Sequence, residues 1–217
     1  MSSIYKIQEK LQQFTRKYYV NQLIKGSILF ITIGLLYLIF TLFIEYFLWL
    51  KPTLRTALFW VFIIVEILLL ANYVVIPITK LIGFRSGISE VEASKLIGKH
   101  FPEVNDKLLN MLQLQNSKLQ SELIEASIDQ KSKELQPVPF VKAIDFSTNK
   151  KYLKFILLPM LIWLLVYITG NINIFNDSLT RVVNYKKAYV PPAPFLFEIE
   201  NKNLDVLEGN SLTVYIK

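Results

Sequence analysis

Apolar residues dominate three stretches of the chain, at 23–50, 56–79 and 152–175. Each stretch exceeds the roughly 20 residues that a helix needs to cross a hydrocarbon core. Lipid offers the backbone no hydrogen-bond partner, so each is expected to be a helix that satisfies its own amides. Residues 51–55 join the first two stretches, which predicts a tight antiparallel hairpin with Pro52 in its turn. No small-x-small cleavage pattern follows the first stretch, and 22 residues precede it, so it reads as a retained span.

Outside the three stretches the pattern changes. Ile4, Ile7, Leu11, Phe14 and Tyr18 recur at helical spacing, which makes one apolar stripe. Such a helix either lies on the membrane surface or forms a seam with a partner helix. The middle of the chain reads as three short helices. Ser89 and Glu92 form a capping box, Pro102 suits the first position of a second helix, and Ser121 caps a third. Their core is expected to comprise Val91, Ile97, Val104, Leu108, Met111, Leu112, Ile124 and Ile128.

The tail switches to a period of two. Pro191, Pro192 and Pro194 make a stiff entry. Phe195, Phe197 and Ile199, then Leu204 and Val206, then Leu212, Val214 and Ile216 read as strands separated by polar turns. They resemble the opening of an immunoglobulin-like β-sandwich. Two or three strands do not make a stable sheet, so the expectation is a longer protein or a partner that completes it.

The expected fold is therefore mainly α. Residues 1–22 form an amphipathic helix, 23–80 a transmembrane hairpin, 87–149 a cytoplasmic helical domain and 150–175 a third transmembrane helix. Residues 176–194 are a linker, and 195–217 begin an extracytoplasmic β-domain.

Charge refines the topology. The net charge is +7 over 217 residues. Lys6, Lys10, Arg16, Lys17 and Lys25 precede the first span. Lys80 and Arg85 follow the second, and Lys150, Lys151 and Lys154 enter the third. The positive-inside rule puts these segments in the cytoplasm and the tail outside, against the weaker opposing set Arg181, Lys186 and Lys187. Basic residues beside spans are explained by lipid and topology, so nucleic acid is not an expected partner. The absence of cysteine excludes disulfides, thiolate zinc sites and iron–sulfur clusters. His100 stands alone among the histidines and reads as structural, and residues 83–87 lack the lysine of a phosphate loop. No metal, cofactor or catalytic residue is expected.

Glu66 is the most unusual single residue, because it lies near the middle of the second span. A charged carboxylate there costs roughly 2.5–3.5 kcal/mol on insertion scales. Tyr37 and Thr41 of the first span lie at similar depth, and Tyr167 of the third is a further candidate partner. The group is either a neutral hydrogen-bonding contact between helices or a protonatable site of a transport assembly. Glu45 lies nearer the outer surface, where Lys51 or Arg55 can pair with it.

Residues 100–114, HFPEVNDKLLNMLQL, stand between a two-span hairpin and a third span. With AIDF at 143–146 and NKKYL at 149–153, they resemble the N-terminal region of large uncharacterised bacterial inner-membrane proteins, some loosely labelled ATPases. The resemblance implies a long extracytoplasmic part and brings no established activity. The functional expectation is a non-enzymatic scaffold of the bacterial envelope, embedded in the inner membrane. A protein partner would bind through the cytoplasmic helices or the outer β-domain, with oligomers allowed. The alternative is a subunit of a transport or channel assembly that uses Glu66.

Overall fold

The computed structural model describes residues 3–115, 121–191, 211 and 213–214. Its described residues are mainly helical, and three helices are long and apolar enough to cross a membrane.

Helix α1, Ser3–Leu48, is unbroken over 46 residues. At 1.5 Å per residue it is roughly 69 Å long, about twice a hydrocarbon core. No proline interrupts it, so the amphipathic N-terminal stretch and the first apolar run share one axis. Lys51 then sits in extended backbone before α2, Pro52–Leu70, whose first position takes Pro52. A π-helical turn, Ala71–Val75, follows, and the helix resumes as α3, Ile76–Leu81. Pro77 has no N–H to give to the carbonyl four residues back, at Tyr73, and the wider π turn takes up the mismatch. That carbonyl faces Gly26 of α1: a Cβ built on Gly26 would lie 1.9 Å from the Tyr73 oxygen. Only glycine lets the two backbones approach so closely.

The middle of the chain supplies α4, Glu90–His100, α5, Asn105–Gln115, and α6, Glu122–Leu135. Ser89 and Glu92 make the expected capping box, and the Ser121 hydroxyl accepts from the Ile124 amide. The unit contains a fourth helix, the N-terminal half of α1. Ile7, Leu11 and Phe14 are buried with Ala93, Ile97, Val104, Leu108, Met111, Leu112, Leu135 and Phe140 in one core. The apolar stripe of α1 thus faces protein rather than a lipid surface. Of the other core positions expected from periodicity, Ile128 packs at the edge, while Val91 and Ile124 are half-buried.

Lysines of α1 close the junction. Lys10 donates to the carbonyls of Gln136 and Val138, and Lys17 donates to that of Val141 at 2.8 Å. These oxygens belong to the end of α6 and the turns after it, where those of Val138 and Val141 also accept the amides of Phe140 and Ile144. Asn149, buried, donates to Asn21 Oδ1 at 2.7 Å just before the next helix.

Helix α7, Lys150–Ile168, has 19 residues and ends earlier than its apolar run. Gly170 takes a φ of +73°, and its amide bonds to the Tyr167 carbonyl. This left-handed turn stops the helix. The chain then reverses into α8, Asn173–Val183, whose Phe175 and Val182 pack on Ile39 and Leu42 of α1. Two expectations are corrected here. Phe175 is not the end of the third long helix, and residues 176–183 are an amphipathic helix rather than linker. The strands expected at 195–217 fall outside the described residues, except Ser211, Thr213 and Val214, which carry no strand.

Candidate functional site

Charged side chains at membrane depth are the features most demanding of explanation. Two carboxylates on the hairpin, Glu66 and Glu45, meet opposite fates.

Glu66 lies on α2 opposite Gly34 of α1. A Cβ on Gly34 would come within 2.9 Å of Glu66 Oε2 and 3.2 Å of Oε1. The carboxyl therefore occupies a notch that exists because residue 34 has no side chain. Oε1 is sealed from solvent and has no hydrogen-bond partner among the described residues. The three residues expected around it are engaged elsewhere. Tyr37 stacks on Phe62, with centroids 5.6 Å apart. Thr41 is buried, and its hydroxyl donates to the Tyr37 carbonyl at 2.9 Å, one turn back on its own helix. Tyr167 is exposed on α7 and stacks on Trp163. Gly34, Tyr37 and Thr41 share one face of α1, but the carboxyl meets that face at Gly34, so Tyr37 and Thr41 lie about one and two turns further along the helix.

Glu45 is fully buried and paired twice. Arg55 Nε donates to its Oε1 at 2.9 Å, and Arg181 Nε donates to the same oxygen at 3.2 Å. Arg55 spends its other nitrogens on carbonyls: Nη1 on Lys187 and Nη2 on Leu50, each at 2.7 Å. Arg181 also donates to the Ser178 hydroxyl, and its guanidinium lies 4.1 Å from the Trp49 ring centroid. Trp49 has a φ of +44°, which is strained for a bulky residue, and the stacked guanidinium helps to hold it there. The cluster thereby ties α1, the hairpin turn, α2, α8 and the segment after α8 at one point. It holds two cations against one anion, and Glu45 Oε2 has no hydrogen-bond partner among the described residues.

Proximity across the turn offers Lys51 or Arg55 to Glu45, and the structure takes Arg55. Arg181, 136 positions away, was beyond reach of that argument; the signal was the amphipathic spacing of Phe175, Ser178, Arg181 and Val182. Alongside this region, α1, α7 and α8 bound an apolar groove of about 740 Å³. Leu38, Leu42, Met160, Trp163 and Leu179 are among its walls.

His100 is exposed, with its ring edge-on to Phe101. No group of three or more histidine, aspartate or glutamate side chains suited to a metal occurs among the described residues. Comparison with family models, curated proteins and solved structures returns no match.

Proposed function

We propose that this protein is a membrane-anchored scaffold of a bacterial cell envelope, with the helical unit in the cytoplasm and the tail outside. The observation that carries the proposal is the continuity of α1. One end of this helix is core to the helical unit, through Ile7, Leu11 and Phe14. Its other end carries Glu45, the anchor of the buried cluster. A single helix has no joint at which the two ends can move independently, so a partner bound to the helical unit is held in fixed register with whatever follows α8.

Charge supports the orientation. Arg55 and Arg181 turn inward to Glu45, which leaves Lys51, Lys186 and Lys187 as exposed bases at that end among the described residues. The opposite end exposes Arg16, Arg85, Lys150, Lys151 and Lys154. Burial of two arginines therefore strengthens the bias that the positive-inside rule reads.

The test is to tag residues 87–136 and the tail after Pro194 and to treat intact spheroplasts with protease. A protected middle tag and a cleaved tail tag support the reading; the opposite pattern overturns it. Pull-downs from native membranes must then recover a protein partner.

A second reading, a subunit of a transport assembly, is favoured by the unpartnered Oε1 of Glu66. Glu66→Gln separates the two readings. It abolishes a proton-coupled step and leaves a scaffold's partner binding unchanged.

A further inference from the structure

Where the first two apolar runs give way to polar sequence, α1, the end of α3 and the start of α4 border an open pocket of about 400 Å³. Its walls include Gln12, Thr15, Arg16, Tyr19, Lys80 and Glu90. The four α1 residues fall on one face, at positions i, i+3, i+4 and i+7.

Arg16 and Lys80 make no ion pair with any described residue. The Lys80 ammonium lies 6.0 Å from the Tyr19 ring centroid, which keeps it on the pocket side. Tyr19 is buried, and its oxygen accepts the Ile88 amide at 2.6 Å. Its own O–H proton is not consumed by that bond, so the hydroxyl retains one donation. Thr15 and Gln12 add further donors. Two cations and three neutral donors around one cavity are the means by which proteins hold a phosphate.

We propose that this pocket binds the phosphate of an anionic phospholipid from the leaflet next to the helical unit. Two observations select a lipid over a soluble phosphate. Ile82 and Phe84, in the segment directly after α3, are 69% and 83% exposed, placing bare apolar side chains at the level of the pocket. That arrangement suits the interface of a bilayer and is costly in water. Glu90 also brings the formal charge of the walls to one positive, which matches a phosphodiester monoanion better than a dianionic free phosphate. The inference rests on the reading that the long helices cross a bilayer.

The test uses the full chain, reconstituted with equal amounts of phosphatidylglycerol and phosphatidylcholine and released for native mass spectrometry. The expected result is one phosphatidylglycerol retained in preference to phosphatidylcholine. Arg16→Gln with Lys80→Gln should lower that retention roughly ten-fold or more, given about a five-fold effect for each cation at an anionic surface. Lys150→Gln with Lys154→Gln removes as many interfacial cations on the far side of the bundle and should change it less than about two-fold. Thr15→Leu, which removes a donor and narrows the pocket while leaving the charges in place, should lower it in the same direction as the first pair.

Equal losses in the two double variants overturn the proposal, since a general electrostatic attraction would give that result. Displacement of the lipid by millimolar inorganic phosphate also overturns it, in favour of a soluble ligand. Extraction with alkaline carbonate separates this inference from its premise. Protein released from membranes overturns both, whereas protein that stays in the membrane without lipid preference overturns the pocket alone.

Discussion

Arg55 Nε reaches Glu45 Oε1 at 2.9 Å, across ten residues of sequence and with both side chains sealed from solvent. Removing one member of a buried pair leaves the other charge without compensation, at a cost of about 3–5 kcal/mol. Glu45→Gln orphans two arginines and should be the most destabilising change in the cluster. Arg181→Gln should cost less, because Arg55 still neutralises the carboxylate. Unfolding of the purified protein in mild detergent, followed for the two single variants, checks this order. If Glu45→Gln unfolds no more readily than Arg181→Gln, the carboxylate is not the centre of the cluster.

The two glycines of α1 that face the second long helix differ in what opposes them. A Cβ at Gly26 meets the Tyr73 backbone oxygen at 1.9 Å, whereas a Cβ at Gly34 meets the end of the Glu66 side chain at 2.9 Å. Backbone cannot step aside without moving a helix, but a carboxylate can rotate. Gly26→Ala should therefore cost about 1–3 kcal/mol, the range of an overpacked core. Gly34→Ala should cost less, and pairing it with Glu66→Ala should restore most of that loss. A double-mutant cycle on thermal stability reads the coupling directly. Additive effects at 34 and 66 would show that the carboxyl does not occupy the notch.

What the sequence made legible, and what it hid, follows from what hydropathy measures. Apolar runs set the number of long helices and the tight hairpin, because lipid and backbone amides leave no other solution. Hydropathy overruns the end of the third helix because it continues through Ile172, Ile174 and Phe175, while the break is a conformational event at Gly170. Periodicity identified the stripe of Ile7, Leu11 and Phe14, but a stripe does not state what will cover it. The same is true of Glu66: counting gives its approximate depth, yet the carboxyl meets α1 at Gly34, and Tyr37 and Thr41, further along the same face, turn to other neighbours. Arg181 joins Glu45 only because α8 folds back, which no local pattern around Glu45 could announce.

Phe14 is fully buried among side chains of α4, α5 and the turns after α6. Truncating a core phenylalanine costs about 3–5 kcal/mol. Phe14→Ala should loosen the helical unit while the spans remain folded, since their cores are separate clusters. Hydrogen exchange reports this as lost protection in α4 and α5 with little change in α2 and α7. Undiminished protection in α4 and α5 would return the N-terminal stripe to the membrane surface.

The pairing of α5 with α6 carries a pH signature. Lys107 Nζ lies 2.9 Å from Glu134 Oε2, and this bond, with the nearby positive charge, holds the Glu134 carboxyl below its ordinary value. A carboxyl depressed in the folded state favours folding above the pKa of the unfolded chain. That contribution fades as pH falls through the folded value. Both side chains are half open to solvent, so the effect is small and weakens further with added salt. Melting curves of the full chain between neutral and acid pH should show Lys107→Met lowering stability at neutral pH and converging with the parent protein at the acid end. A constant offset at every pH would mean that Lys107 acts through packing of its aliphatic stem rather than through Glu134.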